Sequence, residues 1–259
     1  MENFEKTRQI ATLEKGITTL NLMPWGRVGS NLVNSILEKS SLNLTIFNEP
    51  LTGIDTRGKN ANQNNETRWN AQVDWLEQNM INRDLTRGLY INLSAIHIIK
   101  SAEFRKLMRP HIDNYIVQDR RDVVATVLSA MRTQAWVDEG AKLGEKRNWA
   151  IPSNQSISFR PRLSISQFKK FVTIVAKGRQ VISTILQDQT STTYYYEELV
   201  SDMDGVILDI LHKSGAENFN YSIKSGKFGS DHLSDMILNH EVFSNYIIEN
   251  KIPTILELS

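Results

Sequence analysis

The sequence predicts an α/β fold, a mostly parallel β-sheet in a three-layer arrangement with helices on both faces. Three observations lead there: short β-like apolar runs alternate with helical stripes, two of the runs pass straight into a helix, and turn residues separate the segments. A chain of 259 residues with 40% hydrophobic content buries one sizeable core, so one domain spanning 1–259 is expected.

In chain order, "GITTLNLM" (16–23) reads as the first strand and "NLTIFNEP" (43–50) as the second, closed by Pro50. Between them Leu32, Val33, Ile36 and Leu37 recur at helical spacing and define one buried face. "RGLYINLSAI" (87–96) and "DNYIVQD" (113–119) are further strands, and the latter runs into "RRDVVATVLSAM", where Val123, Val124, Val127, Leu128 and Met131 mark a helix. A long helix is expected over 165–186. "TSTTYYYEEL" (190–199) follows as the last strand, then a helix carrying Val206, Ile207, Ile210 and Leu211. Residues 52–70, rich in Asn, and 137–162 break the alternation and are expected as long loops, either lids or acceptor-binding segments.

Composition excludes several function classes. Thirty Lys and Arg against 29 Asp and Glu lack the basicity of a general nucleic-acid binder. With no cysteine there is no disulfide, thiolate catalysis or cysteine metal site, and no histidine pair has zincin spacing, so no metal is expected. The N-terminal "MENFEKTRQIATLEKG" has no signal-peptide core and no run of eighteen apolar residues occurs, which makes a cytoplasmic location without a transmembrane segment the expectation.

Two strand-to-helix junctions carry the chemistry. The first, "MPWGRVGSNLV", sets two glycines, Arg27 and Ser30 where a helix begins, and N–H groups at a helix start lack intrahelical partners and attract anions. A nucleoside triphosphate loop needs Gly-Lys-Ser/Thr at its end, whereas Gly29 is followed by Ser30 and Asn31. The loop suits a phosphate held without magnesium; Gly26 and Gly29 equally suit a plain turn with Ser30 as cap. At the second junction Arg121 stands at a helix mouth and Ser129 lies eight residues on, about 12 Å along the axis, so the two share a phosphate only if it lies beside the helix. An ion-paired, solvated helix start is the alternative for Arg120, Arg121 and Asp122.

In order along the chain these pieces resemble the sulfotransferases that use 3′-phosphoadenosine 5′-phosphosulfate (PAPS). "GRVGSNLV" is similar to the family's 5′-phosphosulfate loop, "RDVVATVLS" to its 3′-phosphate segment, "FNEPL" to the Glu-Pro of the carbohydrate and glycolipid branch, "YYEELVSD" to the Tyr-Glu-Asp/Glu-Leu stretch, and "KSGKFGSDHLSDMILN" to the C-terminal segment that closes over the donor. Val28 and Asn31 depart from the usual Ser and Thr, and the Asp-Pro common beside the 3′-phosphate arginine is missing.

The resemblance implies a phosphate-loop-NTPase-like sulfotransferase fold and a donor, PAPS, released as 3′,5′-adenosine bisphosphate. It implies donor contacts from Arg27, Val28, Gly29, Ser30, Asn31, Arg121 and Ser129, with Lys224, Ser225 and Lys227 closing over the 3′-phosphate. Glu49 would be the general base, assisted by Arg27 at the leaving oxygen, toward a hydroxyl-bearing acceptor, a carbohydrate or glycolipid by preference. His97 and His111 are weaker base candidates. Trp25, Trp69, Trp136 and Trp149 would stack on adenine or sugar if they did not serve packing, and Arg57, Lys59 and Arg68 could meet an acceptor. Two other readings stay open: a phosphate-loop kinase or NTPase, with Asp119 in a magnesium-holding position, and a nucleotide-binding module without catalysis.

Overall fold

The computed structural model describes residues 16–40, 44–52, 54, 64–81, 87–145, 159–216, 232–254 and 256. Five strands form one fully parallel sheet in the order β2-β3-β1-β4-β5: β1 Thr18–Met23, β2 Leu44–Asn48, β3 Gly88–Ser94, β4 Asn114–Asp119 and β5 Ser191–Tyr195. Parallel neighbours require crossovers, and helices supply them. They are α1 Ser30–Ser40, the short α2 Pro50–Thr52, α3 Asn65–Leu76, α4 Ser101–Met108, α5 Val123–Lys142, α6 Ile165–Ile185, α7 Tyr196–Ser201, α8 Met203–Lys213, the short α9 Leu233–Met236 and α10 His240–Glu249. This is the α/β, three-layer arrangement expected.

Side-chain alternation sends the strands' residues to two separate cores. Leu20, Leu22, Leu89, Ile91 and Val117 meet Leu76 of α3, Phe104 of α4 and Ile182 of α6 on one face. Tyr90, Ile116 and Tyr194 meet Val33 and Leu37 of α1 and Ile207 and Leu211 of α8 on the other. A third cluster joins α5 and α6 to α10 through Leu128, Phe168, Phe243 and Ile247. At about 25 cal/mol per Å² of apolar area removed from water, such side chains stabilise the fold by roughly 1.5–3 kcal/mol each.

Several expected boundaries need correction. Residues 65–70, expected in a loop, begin α3, because Asn64 caps it by accepting from Thr67 N at 2.9 Å. Residues 137–142, also expected in a loop, continue α5 until Gly144 turns left-handed at φ 72° and Glu145 N reaches Gly140 O at 2.8 Å. The "YEEL" stretch belongs to α7 and not to a strand: Glu198 accepts from Tyr195 N at 3.1 Å, which ends β5 and starts the helix. Helices α4 and α10 carry no expectation from the sequence.

Candidate functional site

The sheet order determines where a ligand can sit. From β1 the chain crosses toward the β2 edge, whereas from β4 it crosses toward β5, so the carboxyl ends of these adjacent strands part in opposite directions. Such a switch point leaves a crevice above the sheet, the usual ligand site of open α/β folds. Both junctions singled out from the sequence, 24–30 after β1 and 120–122 after β4, lie there.

The first loop is built by conformational strain and close packing. Arg27 takes φ 74° and Gly29 φ 86°, a region that side-chain-bearing residues avoid. At Gly29 a Cβ would lie 2.6 Å from Leu199 Cδ2 and 3.3 Å from Tyr196 Cδ2, so only glycine fits between the loop and α7. Val28 is buried, Ser30 opens α1 at 4% exposure, and Leu32 N and Val33 N both bond Gly29 O. Asn31 is exposed on the first turn of α1. From beneath, α6 approaches so closely that a Cβ on Gly178 would come within 2.0 Å of Pro24 O.

Arg27 and Ser129 meet: Arg27 Nε donates to Ser129 Oγ at 3.1 Å. Burial lowers the pKa of Arg27 from its usual value; Tyr196 opposes this, and the guanidinium groups of Arg120 and Arg132 add to it. Part of the residue's surface stays open, so the desolvated part is the guanidinium end that lies against α5. A guanidinium keeps its proton throughout the ordinary pH range, so Arg27 carries its charge at the switch point together with Arg120, which faces Glu197, and Arg132, which feels the carboxylate of Asp235. Sequence reasoning missed Arg132 and gave Arg120 only as part of an ion-paired helix start, in keeping with its place beside Glu197. Arg132 sits one turn beyond Ser129 on α5, a signal available from i,i+3 spacing, and its Nε bonds Phe159 O at 2.9 Å. Arg120 lies over the Tyr196 ring at 4.6 Å, 3.9 Å from Glu197 Oε1.

Arg121 does not share a partner with Ser129. Its guanidinium pairs with Glu198 and stacks over the Tyr195 ring at 4.1 Å, while its backbone N bonds Glu197 Oε2 at 3.2 Å. Glu198 is held below the usual carboxylate range by the Tyr195 N–H first and by Arg121 next. Asp122 caps α5 through Ala125 N at 2.8 Å and accepts from Thr254 Oγ1 at 2.8 Å.

Asp119 is fully engaged. Arg179 of α6 grips it in a two-pronged pair, Nε to Oδ2 at 2.8 Å and Nη2 to Oδ1 at 3.0 Å, and Nη2 also bonds Arg120 O at 2.8 Å. This fork fixes the β4 junction and occupies the carboxylate that a magnesium ion would need.

Glu49 follows β2 in a second left-handed non-glycine conformation, φ 49°. Its N bonds Asn92 O at 2.8 Å, its O accepts from Thr52 N at 3.1 Å, and its Oε2 accepts from Thr52 Oγ1 at 3.2 Å. Since β3 lies between β2 and β1, Glu49 stands about two strand spacings, roughly 10 Å, from the first loop along the same edge.

Of the remaining candidates, Trp69 is in the core, Trp25 stacks on Phe171 at 4.8 Å, and Trp136 meets Phe159 edge-on at 5.5 Å. The backbone oxygen of His97 accepts from Gln72 Nε2 at 2.5 Å, and His111 closes a short turn after α4. Arg68 Nη1 bonds Asn65 Oδ1 at 3.3 Å on α3. Lys224, Ser225, Lys227, Arg57, Lys59 and Trp149 lie outside the described residues. Among the described residues, no group of three or more His, Asp or Glu side chains is placed to hold a metal ion, and no helix is long and apolar enough to cross a membrane.

No protein-family model matches the chain, and no curated protein does. Among solved structures, the chain is similar to a sulfotransferase from Alicyclobacillus acidocaldarius at 9% identity and a TM-score of 0.49, over 89% of this chain and 91% of that one.

Proposed function

We propose that the chain is a sulfotransferase that moves the sulfuryl group of PAPS to an acceptor hydroxyl. The observation that carries this reading is the Arg27–Ser129 contact: two residues chosen from separate motifs meet at 3.1 Å at the switch point. Desolvated guanidinium groups and the α1 N-terminus suit an oxyanion whose charge grows as its bond to sulfur breaks.

In this reading the 5′-phosphosulfate lies on the loop, taking the N–H groups of Val28, Gly29, Ser30 and Asn31, with Arg27 at the bridging oxygen. The acceptor oxygen attacks sulfur, its proton passes to Glu49, and the bond from sulfur to the phosphate oxygen breaks with its electron pair left on 3′,5′-adenosine bisphosphate. Roughly 10 Å between the β2 and β1 ends leaves room for an acceptor hydroxyl and a sulfuryl group between base and cation. Arg121 takes the 3′-phosphate by exchanging Glu198 for it, with Ser129 toward the same end of the donor and Lys224, Ser225 and Lys227 as further contacts. The acceptor class favoured by "FNEPL" is a carbohydrate or glycolipid.

The commitment of Asp119 to Arg179, together with the missing loop lysine, weighs against a magnesium-dependent kinase or NTPase. The test is turnover of labelled PAPS with a panel of sugar and glycolipid acceptors. Glu49→Gln is expected to bind the bisphosphate normally and to lose about 10²–10⁴-fold in turnover, the range for a general base. Full activity in that variant removes Glu49 from the mechanism.

A further inference from the structure

A row of amides, buried at its centre, crosses the sheet one residue before Glu49. Asn48, Asn92 and Asn21 stand on one rung of β2, β3 and β1 in exact register. Asn92 Nδ2 donates to Asn48 Oδ1 at 2.9 Å, and Asn21 Nδ2 donates to Asn92 Oδ1 at 2.8 Å and to Gln118 Oε1 of β4 at 2.6 Å. Asn21 and Asn92 are wholly buried and Gln118 nearly so, whereas Asn48 is exposed.

On the same face, the rung below holds Ile46 and Tyr90, which pack in the apolar core under α1 and α8, and on β1 the buried Thr19, whose hydroxyl donates to Lys213 O at 2.9 Å. Aliphatic side chains at the buried positions 92 and 21 would have served stability as well, since burying an amide costs free energy that its hydrogen bonds do little more than offset. The row therefore calls for a reason other than cohesion. It joins the strand ends that carry Glu49, the phosphate loop and Arg120, and Glu49 itself is held in a strained φ by its N–H to the backbone oxygen of Asn92.

We infer that Asn48 and Asn92 are positioning residues for Glu49: the side-chain bond between them fixes the backbone entering the strained residue, and Asn21 ties that arrangement to the loop strand. Asn92 holds Glu49 from two directions, through its backbone oxygen to Glu49 N and through its side chain to Asn48. The role in turnover rests on the proposed sulfuryl transfer; the role in holding Glu49 does not.

Asn48 is the residue to vary, because its exposure lets the side chain be removed without opening the core. In Asn48→Ala, kcat with labelled PAPS is expected to fall about 10-fold, the effect of one hydrogen bond, with affinity for 3′,5′-adenosine bisphosphate changed less than about 2-fold. Asn48→Asp keeps an acceptor for Asn92 Nδ2 and is expected to regain most of the turnover. Independently of activity, hydrogen exchange by NMR is expected to show the Glu49 amide exchanging about 10-fold faster in Asn48→Ala, with the amides of β1 unchanged. An unchanged Glu49 amide overturns the inference, as does an equal loss of bisphosphate affinity and kcat. A wild-type protein that transfers no sulfuryl group to any acceptor overturns the proposed function instead, and the exchange experiment then decides the positioning role alone.

Discussion

Arg27 Nε donates to Ser129 Oγ at 3.1 Å, joining the loop after β1 to the second turn of α5 across 102 residues of chain. Ser129→Ala removes one acceptor from a desolvated guanidinium and one hydroxyl from the anion site. Calorimetry is expected to show bisphosphate binding weakened about 10–150-fold, the range for a hydrogen bond to a charged group. Arg27→Lys should weaken it further, since an ammonium lacks the planar fork. Wild-type affinity in both variants would separate the contact from donor binding.

Arg121 presents the opposite case, an arginine chosen from the sequence but turned to Glu198. If it exchanges that carboxylate for the 3′-phosphate, Glu198→Gln should tighten bisphosphate binding several-fold, because the competing charge is gone while an acceptor for Tyr195 N remains. The same variant has a pH signature. The folded pKa of Glu198 lies below the usual value, so its contribution to stability is present above the unfolded pKa and lost as pH falls through the folded one. Thermal melts from about pH 6 to about pH 3 should therefore fall less steeply in Glu198→Gln than in wild type. The difference should be small, because the pair is exposed and screened by salt.

Gly178 supports the loop from the far side. Alanine there would drive a methyl group into Pro24 O, a backbone atom that yields only if α6 or the loop moves. Gly178→Ala is expected to lower stability by about 1–3 kcal/mol and to weaken bisphosphate binding, as measured by denaturant unfolding and calorimetry. A loss of stability without a loss of binding would show that the loop does not depend on this contact.

Glu49 holds φ 49° at the end of β2, where glycine would be relaxed. Glu49→Gly should raise stability by up to about 1 kcal/mol while abolishing turnover, the pattern expected where strain is kept for function. Destabilisation by a comparable amount would mean that the Thr52 contacts outweigh the strain.

Much of the sheet was legible in the chain, because β1, β3 and β4 are apolar runs between turn residues and the Val33/Leu37 and Val124/Leu128 stripes have helical period. Arg27 and Ser129 could be chosen one at a time; their contact could not, because it follows from β4 lying beside β1. The start of α3 was hidden for a different reason. Its first turn is polar, and only the Asn64 cap marks it. Local signals also failed at Tyr196, where aromatic residues suited to a strand enter a helix held by Glu198. Arg120, Arg179, Gly178 and Asn92 gain their roles from neighbours far away in sequence, which no spacing rule reveals, whereas Arg132 was within reach of the i,i+3 spacing from Ser129 on the same helix.

The most direct test of the sulfotransferase reading is titration calorimetry of the wild-type protein with 3′,5′-adenosine bisphosphate and, separately, with ATP and magnesium. The expected result is saturable binding of the bisphosphate that is independent of magnesium and weakened by Arg27→Lys. Binding of ATP–magnesium with none of the bisphosphate would contradict it.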